Sequence, residues 1–240
     1  MKRSIQRADA IIADTYSTAG DLQSEFEVES RKVFPVHLGK PELPRRKDAE
    51  KAFNDELPSK FFLFVGTLDP RKNFNRIMKA FTLLNPVASD VHLLIVGGAG
   101  WKNKGFLEVL SEHPLRSYVS IKGYVPADFL TACYEKAVCL VFPSLYEGFG
   151  LPILEAMSCG TPVITSNVSA MKEVAGDAAL LVNPQDTKAL KAAMKRLLED
   201  KRLRKRLREK GWQRVKEFTW RRCAEETLKI LNMFDRGYVS

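Results

Sequence analysis

Two glutamates, Glu147 and Glu155, frame a glycine-bearing bend within residues 142–160, read as FPSLYEGFGLPILEAMSCG. An apolar run ends at Phe142, Gly148, Phe149 and Gly150 form the bend, and Pro152 suits the first turn of a helix. Glycines let backbone N–H groups come close to a ligand. A helix beginning near Leu151 or Pro152 aims free amides and a positive dipole end at whatever fills the bend, which favours phosphate or a network of sugar hydroxyls. Glu155 falls about one turn inside that helix, where a carboxylate can accept two hydrogen bonds from a vicinal diol such as a ribose. A plainer reading is a buried strand-to-helix corner with two solvated glutamates, because short motifs match by chance.

A second set of residues follows an apolar run at 61–65: Gly66, Thr67, Leu68, Asp69, Pro70, Arg71, Lys72 and Asn73. Asn73 is expected to cap the next helix. Arg71 and Lys72 then stand just ahead of a helix start, where cations oppose the dipole unless an anion lies between them and the amides. This placement argues for a bound phosphate, against the alternative of two solvated loop cations. The glycine-rich loop at 97–100 (GGAG) is weak evidence for a dinucleotide fold. The full glycine fingerprint is missing, and the next strand ends in Lys122-Gly123 instead of an acid for a ribose.

The elements that must position these loops are legible in the spacing. Short apolar runs at 61–65, 91–96, 119–122, 138–142, 162–165 and 179–182 alternate with helical segments. That is the pattern of strands buried on both faces, hence an α/β fold with a Rossmann-like parallel sheet flanked by helices. Phe74, Ile77, Phe81 and Leu84 share one face of the first helix, and Asp186 is expected to cap another that buries Leu190, Met194, Leu197 and Leu198. Upstream, strands are expected at 10–13 and 33–36, with Ser17 capping a helix that runs to Phe26. Residues 40–59, rich in proline and charge, read as a linker or exposed loop with little packing.

With its neighbours, the 142–160 stretch resembles the donor-site signature of the retaining, nucleotide-sugar-dependent glycosyltransferases of group 1 (family four), written as glutamate, seven residues, glutamate. The likeness takes in Pro143 and Ser144, Gly148-Phe149-Gly150-Leu151-Pro152, and the run from Ala156 to Val163. The 66–73 loop also resembles that family, whose Arg and Lys contact the donor diphosphate. Thr67 stands where many members carry an arginine, so Lys72 matches more firmly and Arg71 is left to supply the second charge.

The resemblance implies the C-terminal half of a GT-B two-domain enzyme. Residues 1–39 would be a remnant of the N-terminal acceptor domain, 40–59 a linker, 60–218 the donor-binding domain and 219–240 a helix crossing back to the other domain. It implies glycosyl transfer with retention and without a metal or other cofactor. Glu147 would hold the sugar hydroxyls and Arg71 and Lys72 the departing diphosphate, with the remaining donor contacts from Gly66, Thr67, Gly97, Tyr124, Val125, Gly148, Phe149, Gly150, Leu151 and Glu155. Tyr124 reads equally well as a half-buried packing residue. The 66–73 loop is similar to that of many mannosyltransferases, so GDP-mannose is the expected donor. The missing half could be a partner chain, or the final helix could pair in a homo-oligomer.

The remaining features narrow the classes. The composition, 45% hydrophobic and 28% charged, is that of a globular protein. The N-terminal apolar patch is interrupted by Asp9 and Asp14, unlike a secretory signal, so a cytoplasmic location is the expectation. The cysteines Cys133, Cys139, Cys159 and Cys223 lack metal-ligand spacing and read as buried thiols, and His92 reads as structural. The net charge of +9 gathers between Lys188 and Lys216, where thirteen Lys or Arg face three acids. Such a face is either simply solvated or drawn to anionic lipid headgroups as a peripheral membrane contact. Nucleic acid is disfavoured, since no recognised motif or aromatic interleaving accompanies the charge. Two other classes stay open: a non-catalytic subunit that keeps the fold and engages a partner, and an oxidoreductase, which the missing acid disfavours.

Overall fold

The computed structural model describes residues 2–44, 53, 56–98 and 112–234. The chain begins with α1 (Lys2–Arg7), β1 (Ile11–Ala13), α2 (Tyr16–Phe26) and β2 (Val33–Pro35). It continues through β3 (Phe61–Val65), α3 (Phe74–Leu83), α4 (Pro86–Ser89), β4 (His92–Val96), β5 (Val119–Ile121), α5 (Ala127–Lys136), β6 (Cys139–Phe142) and α6 (Leu151–Ser158). Then come β7 (Val163–Ser166), α7 (Ser169–Ala175), β8 (Leu180–Val182), α8 (Thr187–Glu199), α9 (Lys201–Arg214) and α10 (Trp220–Phe234).

Among the described residues six strands form one parallel sheet in the order β5-β4-β3-β6-β7-β8, and β1 pairs with β2, also in parallel. Chain progression reverses between β3 and β6. In a Rossmann-like sheet this reversal opens a crevice beyond the carboxyl ends of the strands, where loops run to opposite sides.

The apolar runs are continuous because both faces of the sheet are covered. Phe61, Leu63, Leu94, Leu140, Phe142 and Val163 point to one core, shared with α5, α6 and α7. Phe62, Phe64, Leu93, Ile95, Val141 and Ile164 point to the other, shared with α3, α8 and α9. Each such fully buried side chain contributes about 1.5–3 kcal/mol of transfer free energy. Phe74, Ile77, Phe81 and Leu84 of the expected face are all buried. Asp186 accepts from the amides of Lys188 and Ala189 at 2.8 and 2.9 Å and caps α8 as expected. His92 packs its ring against Tyr118, in keeping with a structural residue.

Some local expectations fail. Thr15, not Ser17, caps α2: Thr15 has the extended backbone of a cap and accepts from the Thr18 amide at 3.0 Å, whereas Ser17 already lies inside the helix. The described residues of segment 40–59 pack more than its charge suggested. Leu57 is buried in the first core, Leu43 and Phe53 lie against it, and Phe53 meets Phe129 edge-on. Residues 45–52, 54 and 55 of that segment, residues 99 and 100 of the glycine-rich loop and residues 235–240 after the last helix lie outside the described residues. Cys133 and Cys139 are buried, while Cys159 and Cys223 are only partly so. Burial pushes the Cys133 thiol up to about 12 and Cys139 higher still, so both stay protonated.

Candidate donor site

The loops after β3, β4 and β5 are stitched together by backbone bonds that only glycine permits. The Gly66 amide donates to the Val96 carbonyl at 2.9 Å, and the Gly97 amide to Gly123 at 2.8 Å. Gly97 has φ +136°, and a Cβ there would stand 2.3 Å from the Gly66 carbonyl oxygen. Gly66, with φ +140°, turns the chain out of β3 into the 66–73 loop.

That loop tightens into a single 3-10 turn at Pro70–Lys72, capped by Asp69, whose side chain accepts from the Arg71 amide at 2.8 Å. Asn73 occupies the cap position of α3 but does not cap with its side chain. It is buried, left-handed, and donates Nδ2 to the carbonyls of Pro143 and Pro184 at 3.0 and 2.7 Å. A residue expected to cap the start of one helix therefore fastens three loops together.

Arg71 and Lys72 are thereby delivered to Glu147. Arg71 Nη1 lies 2.5 Å from Glu147 Oε2 and donates to the Tyr146 carbonyl at 2.9 Å, and Lys72 Nζ lies 2.7 Å from Glu147 Oε1. Lys72 also sits 4.7 Å above the Phe142 ring. The side chains of Lys72 and Glu147 are only 12% and 9% exposed, whereas Arg71 is 44% exposed. The anion that two cations ahead of a helix demand is thus supplied by Glu147 itself, so the dipole argument alone does not require a phosphate. Counting Asp69, whose Oδ2 lies 3.7 Å from Arg71, two carboxylates balance the two cations, so an incoming anion must compete with them for Arg71 and Lys72.

The glutamate loop is held from three sides. The Leu145 amide donates to the Arg71 carbonyl at 2.8 Å, and Ser169 Oγ donates to the Glu147 carbonyl at 2.7 Å. Thr15 and Thr18 hydroxyls donate to the Gly148 carbonyl at 2.9 and 3.1 Å, and Tyr146 Oη to Asp21 at 2.8 Å. Gly150, φ +98°, then leads into α6, with Pro152 in the first turn.

The other expected residues divide. Phe149 is buried against His37 and Phe218, so only its backbone can reach a ligand. Thr67 is exposed and Leu151 half-buried against the core. Tyr124 is 96% exposed, which excludes the packing alternative, and Val125 lies partly buried against the first core. Glu155 stands apart from the cationic cluster and accepts from Tyr134 Oη at 2.6 Å. Burial raises the Glu155 carboxyl above its usual range and the Tyr134 bond offsets part of that rise. Among the described residues no group of three or more His, Cys, Asp or Glu could hold a metal ion.

Sequence reasoning missed Asp69, the stapling role of Asn73, and the hydroxyls of Thr15, Thr18, Tyr134 and Ser169. Only Asp69 carried a signal, its place before Pro70 in a turn.

Residues 45–214 match the family described as Glycosyl transferases group 1. The chain is 38% identical over 175 residues to the O-antigen chain mannosyltransferase B of Escherichia coli, covering 72% of this chain and 46% of that protein. It is 30% identical over 200 residues to the O-antigen chain mannosyltransferase RfbU of Salmonella typhimurium, covering 82% and 53%. The solved structure of sucrose-phosphate synthase from Thermosynechococcus elongatus superimposes with a TM-score of 0.82 at 28% identity, over 97% of this chain and 60% of that one. The chain thus spans about half the length of the two relatives, 46% and 53%.

Proposed function

The chain belongs to the group 1 glycosyl transferases, and from that premise we propose that it is the donor-binding half of a retaining hexosyltransferase that uses a nucleotide-diphosphate sugar. The observation that carries this is the meeting of Arg71 and Lys72 with Glu147 beyond the carboxyl ends of β3 and β6, at the point where the sheet reverses. In the transfer, the bond between the anomeric carbon and the diphosphate oxygen breaks, and the acceptor hydroxyl oxygen takes the sugar on the same face while its proton passes to the departing diphosphate. Positive charge develops on the ring and negative charge on the leaving group. Lys72, Arg71 and the amides that open α6 near Gly150 stabilise the diphosphate by preorganised electrostatics. Glu147, released from part of its hold on the cations, accepts the sugar's hydroxyls, and Glu155 accepts the ribose diol. The two named relatives are mannosyltransferases, which supports GDP-mannose as donor.

In this reading residues 1–39 belong to the acceptor domain, 40–59 link it to the donor domain at 60–218, and 219–240 return to it. The exposed apolar residues Trp220, Leu228, Leu231 and Met233 of α10 suit a covering surface there. They also support the second reading, a non-catalytic subunit that serves a partner chain. Transfer with the partner present that is lost in Glu147→Ala decides for the enzyme. Exposed Lys201, Arg202, Lys205 and Arg206 on α9 support peripheral attraction to an anionic membrane.

Isothermal titration with GDP, UDP and ADP tests the donor site. GDP is expected to bind. Lys72→Ala is expected to weaken it tenfold or more, since a charged hydrogen bond is worth about 1.5–3 kcal/mol. Binding of none of the three overturns the assignment.

A further inference from the structure

We propose that Tyr134 is the positioning residue for Glu155, so that preference for a nucleotide with an intact ribose diol depends on a buried phenol that never touches the nucleotide. The inference rests on the reading of Glu155 as the ribose acceptor and goes beyond it by naming what orients that carboxylate.

Tyr134 lies on α5 and is fully buried. A phenol in such a place needs an acceptor, and the one it has is Glu155 Oε2 at 2.6 Å, within the short range of O–H donors to carboxylates. The same residue is tied a second time to the α6 region, because Thr161 Oγ1 donates to the Tyr134 carbonyl at 2.6 Å and the Thr161 amide donates to Ala156 at 2.8 Å. One residue of α5 therefore grips the chain both inside α6 and just past its end. The Thr161 bond fixes the Tyr134 backbone against the end of α6, and the phenol's own bond fixes its ring against the carboxylate.

Geometry and ionisation act together. An ionised carboxylate offers about four lone-pair sites, and the phenol occupies one on Oε2, which leaves Oε1 to face a pair of hydroxyls. Burial, then the neighbouring Glu155 charge, pushes the Tyr134 phenol far above its ordinary range, so it remains a donor at every working pH. Its bond lowers the Glu155 carboxyl against the rise that burial imposes. Among the described residues the other titratable groups acting on Tyr134 are the Cys133 and Cys159 thiols. The Cys133 thiol is held protonated by burial.

The test compares the wild-type chain with Tyr134→Phe by titrating GDP and UDP against their 2′,3′-dideoxy forms, at pH 7.5 and again at lower pH. The wild type is expected to favour the ribonucleotide by roughly tenfold, about 1.4 kcal/mol. In Tyr134→Phe that preference is expected to collapse to about twofold while dideoxy binding holds, which also shows that the variant is folded. The acid limb of ribonucleotide binding should move to higher pH, a change that simple loss of packing does not produce. Thr161→Val, which removes one attachment and leaves the phenol in place, should keep most of the preference. If Tyr134→Phe retains the wild-type preference and acid limb, the inference is overturned while the ribose reading stands. If the wild type itself fails to distinguish the two forms, the ribose reading falls and takes the inference with it.

Discussion

Glu147 holds two cations that the proposed chemistry needs for a diphosphate, so the unliganded site is a competition between an internal and an external anion. Glu147→Gln keeps the shape and removes the charge. Nucleoside diphosphate binding is then expected to tighten several-fold, on the order of 1 kcal/mol for one charge screened as in bulk water, while sugar transfer falls. Weaker binding in a titration would show that the carboxylate's main service is to aim the cations. Glu155 predicts a pH dependence of definite sign. Its carboxyl is raised by burial, with Tyr134 partly offsetting the rise, so the charged form that accepts a diol is present at high pH and is lost as pH falls through that raised value. Ribonucleotide affinity should fall at a higher pH than an ordinary carboxylate would give, and Glu155→Gln should flatten the profile. The two glutamates and two cations stood out as candidates because their types and loop context are restrictive, and the structure brings Glu147 to the two cations while Glu155 lies apart beside Tyr134. Tyr134 was not, because a tyrosine in an amphipathic helix reads the same whether its hydroxyl meets water or a buried carboxylate.

At the scale of elements, the basic run is put to structural use. Arg204 donates to the carbonyls of Leu197 and Leu198 at the end of α8. Arg208 donates to Gly160 just past α6, and Arg214 to Glu173 and Val174 at the end of α7. A cation at a helix C-terminus satisfies orphan carbonyls and complements the dipole. Arg214→Ala should lower stability by about 1–2 kcal/mol in urea unfolding. Lys205→Ala, on the exposed side of the same helix, should leave the transition where it is. Gly97→Ala should be more damaging than either, since its Cβ would collide with the Gly66 carbonyl at a backbone angle that disfavours side chains. Loss of nucleotide binding together with a lowered melting temperature is the expected result. The six strands of the large sheet were read from their apolar runs to within about one residue at each end, because two-sided burial leaves such a plain trace. The cap of α2 was misplaced because hydroxyl residues run from Thr15 to Thr18, and only the backbone shows that the extended cap conformation falls at Thr15, ahead of Ser17.

For the whole molecule, the net charge of +9 is concentrated where three arginines are already committed to helix ends, which leaves a smaller exposed set to meet an external surface. Sedimentation with vesicles containing anionic phosphatidylglycerol should show binding that weakens with salt and falls when Lys201, Arg202, Lys205 and Arg206 are changed together to Gln. Salt-independent binding, or none, would return that face to simple solvation. Among the described residues no helix is long and apolar enough to cross a membrane. The N-terminal segment buries its own small cluster of Ala13, Ala19, Val28 and Val33, and reaches the glutamate loop through Thr15, Thr18 and Asp21 and α7 through His37.

By itself the sequence determined the parallel α/β layering, the strands and most helix faces, and the two loops that carry the charged residues, because periodicity and glycine placement are local constraints that burial imposes directly. Only the tertiary structure decided which charges meet. It paired Arg71 and Lys72 with Glu147, gave Asn73 to the carbonyls of two distant prolines, and set Tyr134 against Glu155. These partnerships join residues separated by 21 to 111 positions. They arise from the crossing of strands at the sheet's reversal and from the burial of polar groups that must then find a partner, neither of which leaves a local trace in the chain.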